Sequence, residues 1–181
     1  MRTKRITLAI VLIAILVAID QITKYLVVQN MKPYKDEIKV LGDALVFYYI
    51  KNTGAAWGSF NKSTLLLAGI SVFMIIALSI YYFKNIDKDN RKLVRICTII
   101  IIAGAIGNLI DRLRLRYVVD FIYFKLINFP VFNVADIYVT VFAFVLVFLA
   151  IFIIKDDEEE NNKTKKENSI KEKNETEKDV E

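Results

Sequence analysis

A chain of 181 residues that is 55% hydrophobic, with a mean hydropathy of +0.41, has the balance of an integral membrane protein rather than of a soluble domain. The formal charge of +5 is unevenly spread: the segment from Lys155 onward holds 7 basic and 11 acidic residues, which leaves 18 basic and 9 acidic residues, a balance of +9, in the first 154. There is no histidine and one cysteine, Cys97, which excludes Ser-His and Cys-His nucleophiles, His-ligated metals, multi-cysteine metal sites and intrachain disulfides.

The chain opens with Arg2, Lys4 and Arg5 before an apolar run, like a secretory signal peptide. No small-residue cleavage site follows, however, and apolar character resumes after Asp20-Gln21-Ile22-Thr23-Lys24, so a first transmembrane helix is predicted over about 6–28. Asp20 and Lys24 are four apart and share a helix face, where they can form an ion pair near the membrane boundary. A structural pair that fixes helix packing is the simpler reading, and a catalytic role the other.

From Gln29 to Asn61 the composition turns polar, with Pro33 and Gly42 as breakers. The strand-like runs 38–41 and 44–50 predict a small hairpin or curled sheet on the membrane surface. The stretch Asn52-Thr53-Gly54-Ala55-Ala56-Trp57 reads by itself as a turn with an interfacial tryptophan anchor. Further transmembrane helices are predicted over about 65–83, 93–110 and 137–154. Ser71 and Ser79 interrupt the second, where each can bond back to a helix carbonyl. Cys97 lies within the third and reads as a packing or lipid-facing residue. Residues 1–154 thus form one membrane domain, and 155–181, without apolar periodicity, a charged disordered tail.

Four spans put both termini on one side, yet Met1 to Arg5 and Lys84 to Arg95 on that side hold 8 Lys and Arg against 9 on the other, so the charge beside the spans does not orient the chain. The basic residues flank apolar runs and form no separate domain, which disfavours nucleic acid and points to membrane lipid headgroups as their counter-charge.

Of the nine acids before the tail, Asp20, Asp111, Asp120 and Asp136 abut or interrupt apolar segments. A carboxylate there loses hydration unless a partner compensates it. On the third helix Gly104, Asn108 and Asp111 share a face, and Gly104 and Gly107 are small enough to admit a neighbouring helix. Arg112 follows Asn108 by four and can neutralise a carboxylate or hold a carbonyl. Asn133 and Asp136 lie three apart where the fourth helix begins, and the breakers Asn128 and Pro130 must turn the chain back, so Asp120 and Asp136 can meet at one membrane face. Two carboxylates sharing a site hold one proton between them and can serve as base and acid without histidine. Equally, each can merely cap a helix or pair with Arg112.

The ordered set Asp20-Gln21-Ile22-Thr23-Lys24, Asn52-Thr53-Gly54-Ala55-Ala56-Trp57, Gly104 to Arg112, Val118-Val119-Asp120-Phe121 and Phe132-Asn133-Val134-Ala135-Asp136 resembles the lipoprotein signal peptidase family, also called type II signal peptidases. Ala103 stands where many members have another glycine, and the tail lies outside the shared pattern. The resemblance implies an all-α polytopic fold of four transmembrane helices, with a small extracytoplasmic β-cradle and a mobile flap over Arg114 to Phe129. It implies a catalytic dyad of Asp120 and Asp136, substrate contacts from Asn52, Gly54, Asn108, Arg112 and Asn133, and support from Asp20, Lys24, Gly104, Gly107, Asp111 and Ala135. It also implies a substrate, a prolipoprotein cut on the N-terminal side of a diacylglyceryl-modified cysteine, and a monomeric bacterial cell-membrane enzyme with both termini cytoplasmic. No metal or cofactor is expected. A small proton-coupled transporter is the competing reading, since it too would use intramembrane carboxylates, but no internal repeat accompanies them.

Overall fold

The computed structural model describes residues 2–54 and 64–151. The expected Trp57 anchor and the charged tail 155–181 lie outside the described residues. The chain divides into two compact units, Met1–Ala143 and Phe144–Glu181.

Four helices long and apolar enough to cross a membrane are present: α1 (Arg2–Asn30), α2 (Thr64–Asn85), α3 (Lys92–Leu115, preceded by a 3₁₀ turn, Asp89–Arg91) and α4 (Val134–Ile151). α1, α2 and α3 each overrun their apolar runs because the polar residues at their ends continue the helical hydrogen bonding. α4 starts at Val134, ahead of the first purely apolar residues, because Asn133 and Asp136 form a reciprocal cap there.

α3 is the central helix of the first unit. In its most apolar stretch 61% of residues are buried, against 11% for α1 and 6% for α2. Its glycines, Thr98 and Asn108 face protein, whereas Leu8, Ile15, Leu65 and Phe73 of α1 and α2 point outward, as hydrocarbon requires. Thr98 satisfies its hydroxyl on Val94 O at 2.8 Å, and Ser71 of α2 does the same on Leu67 O at 2.9 Å, so neither costs an open polar group. Cys97 is buried as a free thiol.

A three-stranded antiparallel sheet caps one end of the helices in the order β1 (Glu37–Leu41), β2 (Leu45–Asn52), β3 (Val118–Phe124). The first two are the hairpin expected from sequence, closed by a turn in which Gly42 takes φ +54°. The third comes from the segment 114–129, where a flap is expected. That segment holds the end of α3, β3 and a 3₁₀ turn, Lys125–Ile127; Arg114, Arg116 and residues 124–129 are exposed, and Val118 to Phe121 are buried. The alternation Val118, Asp120, Ile122 against Val119, Phe121, Tyr123 is a strand signal. Arg116 makes the corner: it takes the left-handed conformation at φ 67° and donates its N–H to Arg112 O, ending α3 two residues before β3.

Between β2 and β3 the register runs Phe47↔Ile122 and then Ile50↔Asp120, so β2 carries one extra residue in a bulge. Beyond the bulge Asp120 and Asn52 share a face of the sheet. Val27, Met31, Tyr49, Val119 and Phe121 form the core that joins α1 to the sheet, and Ala9, Tyr82, Ile86 and Ile99 form a second at the opposite end of the helices.

Candidate active site

Asp120 is 1% exposed, on the inner face of β3. Its Oδ2 accepts from Asn52 Nδ2 at 2.7 Å and its Oδ1 from Asn133 Nδ2 at 2.6 Å. Burial, followed by the nearby negative charge of Asp136, pushes its pKa up to about 7, while the two amide donors act in the opposite sense. At neutral pH this carboxyl is therefore poised between its charged and protonated forms.

Asp136 is fixed by the start of its own helix. Asn133 Oδ1 accepts from Asp136 N at 3.0 Å and Asp136 Oδ2 accepts from Asn133 N at 3.1 Å, the reciprocal arrangement of a capping box. The remaining oxygen, Oδ1, accepts from Asn108 Nδ2 at 2.8 Å. Asn133 thus touches both carboxylates, and its Nδ2 also reaches Asn108 Oδ1 at 3.1 Å. Asn108 and Asn133, 25 positions apart, bridge the two acids through neutral amides.

Behind the asparagines lies an ionic cluster. Lys24 is 3% exposed, and its Nζ lies 3.0 Å from Asn108 Oδ1, 2.9 Å from Asp20 Oδ2 and 3.1 Å from Asp111 Oδ2. Asp20 turns its other oxygen to Ala135 N at 3.0 Å, satisfying one of the free N–H groups in the first turn of α4 with a negative charge. Asp111 Oδ2 also accepts from Val119 N at 3.2 Å, which ties α3 to β3 one residue from Asp120.

The glycines make this approach possible. A Cβ on Gly104 would lie 2.6 Å from Ala135 O and 2.9 Å from Val139 Cγ2, and one on Gly107 would strike the Asp20 carboxylate. Ala135, fully buried, therefore seats the first turn of α4 against α3.

The two expected site residues at the edge are held differently. Gly54 is buried and donates its N–H to Asn52 Oδ1 at 2.9 Å, so it orients the amide that bonds Asp120. Arg112 is half-buried, donates to Ser71 Oγ of α2 at 3.4 Å, and interacts electrostatically with Asp136, Asp120 and Asp111 without pairing with any of them. Two participants have no assigned role in the sequence reading. Gln21 Nε2 lies 3.1 Å from Asp20 Oδ2, 3.2 Å from Gly107 O and 3.1 Å from Asp111 Oδ1, stitching α1 to α3. Its place beside Asp20 was the available signal. Nothing local marks Ser71 as a partner of Arg112, 41 positions away.

An apolar cavity of about 610 Å³ runs along the sheet and α4 up to Asp136, lined by Leu45, Phe47, Phe132, Ile137 and Val141. Phe132 is sandwiched there between Phe124 and Phe129, with ring centroids 5.7 Å from each. The fold and this site define a polytopic membrane protein with a histidine-free carboxylate pair at one end of its helices, open to an apolar channel.

Known proteins place that class. The profile described as signal peptidase (SPase) II matches residues 12–153. The lipoprotein signal peptidase of Clostridium tetani is 40% identical over 157 residues, 85% of this chain and 97% of the relative. That of Caldanaerobacter subterraneus subsp. tengcongensis is 42% identical over 146 residues, 80% of this chain and 97% of the relative. A bacterial membrane enzyme solved by the in meso method superposes with a TM-score of 0.72 at 30% identity, covering 84% of this chain and 92% of its own. A second superposes at 0.68 with 31% identity, covering 81% and 93%. The chain belongs to the signal peptidase II family, whose members are aspartic peptidases of the membrane. Nothing in these comparisons supports the transporter reading.

Proposed function

We propose that this protein removes the signal peptide of diacylglyceryl-modified prolipoproteins, cleaving on the N-terminal side of the lipidated cysteine, with Asp120 and Asp136 as the catalytic dyad. The observation that carries the assignment is that Asn133 bonds both carboxylates while no cation pairs with either among the described residues. One carboxylate, unprotonated, takes a proton from water as its oxygen attacks the scissile carbonyl carbon. The other donates the shared proton toward the carbonyl oxygen, giving a neutral gem-diol intermediate. As that intermediate collapses, the C–N bond breaks, the amine of the cysteine leaves with a proton, and the dyad returns to one proton.

Asn52, Gly54, Asn108, Arg112 and Asn133 are the substrate-facing set, the asparagines holding the acids in register and Arg112 supplying a permanent positive charge near the developing oxyanion. Asp20, Lys24, Gly104, Gly107, Asp111 and Ala135 support it from behind. The apolar channel that ends at Asp136 suits acyl chains or the apolar signal segment. A monomer with both termini in the cytoplasm and the dyad at the opposite face presents this channel where an exported precursor leaves the lipid.

The test is cleavage of a diacylglyceryl-modified precursor in detergent, followed by gel shift. Asp120→Asn and Asp136→Asn each abolish product while circular dichroism and gel filtration stay unchanged, and a precursor with serine at the modified cysteine is not cut. Turnover by either variant would overturn the dyad.

A further inference from the structure

At the end of the helices farthest from the sheet, a cavity of about 440 Å³ opens between α1, α2 and α3. Its mouth and its depth differ in chemistry. Arg5, Lys92 and Arg95 surround the mouth with one acid, Asp89. Deeper in, Leu12 of α1 meets Ile96 and Ile99 of α3, with Leu8 at the cavity's exposed edge. Along each helix the spacing from basic residue to deepest apolar one, Arg5 to Leu12 and Lys92 to Ile99, is seven residues, or roughly 10 Å toward the membrane centre at 1.5 Å rise per residue. A charged rim over an apolar slot of that depth is the shape of a headgroup with the first part of an acyl chain beneath it.

We propose that this cavity binds an anionic phospholipid, its phosphate held by Arg5 and Lys92 and its acyl chain lying against Leu8, Leu12, Ile96 and Ile99. Charge complementarity selects the occupant. Arg95 is committed to the fold, buried and donating to Asn85 O and Lys88 O, where it closes the carbonyl end of α2. Arg5 spends one nitrogen on Ile86 O and the other on Asp89, a carboxylate 86% exposed that sits where a lipid phosphate would also sit. Lys92 is exposed, with no ion pair among the described residues. Asp89 therefore stands in for the phosphate in part and competes with it. Both α1 and α3 begin at this end, and Arg95 offsets the negative carbonyl end of α2 that also lies here, so the field at the rim stays positive. A zwitterionic headgroup would bring a second cation to a rim that already carries an excess of positive charge.

The test measures thermal unfolding of the full chain in a neutral detergent with added dioleoylphosphatidylglycerol, dioleoylphosphatidylcholine or inorganic phosphate. The expected result is a rise in Tm of roughly 3 °C or more with phosphatidylglycerol and none with the other two. Lys92→Gln reduces the rise, Arg5→Gln with Lys92→Gln removes it, and Asp89→Asn enlarges it. Native mass spectrometry of the same variants reads retained lipid directly, so a general loss of stability in the double variant is not mistaken for lost binding. Equal effects of the two phospholipids, an equal effect of inorganic phosphate, or an undiminished phosphatidylglycerol adduct in the double variant overturns the proposal.

Discussion

Two sets of buried carboxylates lie within one hydrogen-bonded network, and they are held in opposite ways. Asp20 and Asp111 share an ammonium, Lys24, and an amide, Gln21, and accept in addition from backbone N–H groups of α4 and β3. Asp120 and Asp136 have only amide and backbone donors, from Asn52, Asn108 and Asn133, and Asp136 lines an apolar channel. An ion pair holds a carboxylate firmly in its charged form, whereas a neutral donor favours that form more weakly and leaves burial able to raise the pKa. The first set is therefore suited to hold helices together and the second to exchange protons. Asn108 joins the two, accepting from Lys24 and donating to Asp136.

The comparison breaks hardest at Lys24. Lys24→Met leaves Asp20 and Asp111 buried without their cation and should cost about 3–5 kcal/mol, read by unfolding in detergent. Adding Asp111→Asn should recover part of the loss, whereas Asp136→Asn should recover none.

The proton-exchanging set should announce itself in the pH dependence of stability. Because the folded pKa of Asp120 is raised to about 7, the native state holds a proton that the unfolded chain has released above about pH 4. The associated stability is fully present below pH 4 and is lost as pH rises through about 7, on the order of a few kcal/mol. In Asp120→Asn this slope should shrink, whatever the variant's absolute stability, because only one acid of the pair is left to titrate, and an unchanged slope would show that Asp120 titrates normally. On the proposed dyad mechanism the same titration should set the alkaline limb of peptidase activity, read from the pH profile of kcat.

Asn52→Ala removes one donor to the Asp120 carboxylate. Loss of a hydrogen bond to a charged group, worth about 1.5–3 kcal/mol, predicts a roughly 10–100-fold fall in kcat. Because that donor lowers the pKa of Asp120, the alkaline limb should move to higher pH. A fall in rate with an unmoved limb would assign Asn52 to substrate binding alone.

The smallest change is Gly107→Ala. The added methyl meets the Asp20 carboxylate, and overpacking at such a contact costs about 1–3 kcal/mol. Stability should fall while the activity of the folded fraction and its pH profile hold, separating the supporting cluster from the reacting one.

Much of this was legible before any coordinates. The apolar runs locate four helices, and the costly acids at their ends single out Asp20, Asp111, Asp120 and Asp136, because hydration penalties are local. The Asp20–Lys24 pair follows from a helical spacing of four. Less accessible was the segment after Arg112: its alternation of Val, Phe and Ile suits a strand, but a strand is defined by its partner, and β2 lies some 70 positions earlier. The pairing of Arg112 with Ser71 had no local trace at all.

By itself, then, the amino-acid sequence determined the helices, the polar residues stranded at their ends and, through five ordered motifs, the family. Helical hydrogen bonds close within four residues and hydropathy is a property of composition, so both can be read along the chain. Tertiary structure alone decided that Lys24 serves Asp111 as well as Asp20, and that Asp120 and Asp136 receive no cation among the described residues. It placed Asp120 on a strand beside Asn52, made Asp136 part of its own helix cap, and brought Lys24 between Asp20 and Asp111. Those contacts and the bond from Ala135 N to Asp20 join residues up to 115 positions apart, and at that separation only packing, through the space left by Gly104 and Gly107, selects the partner.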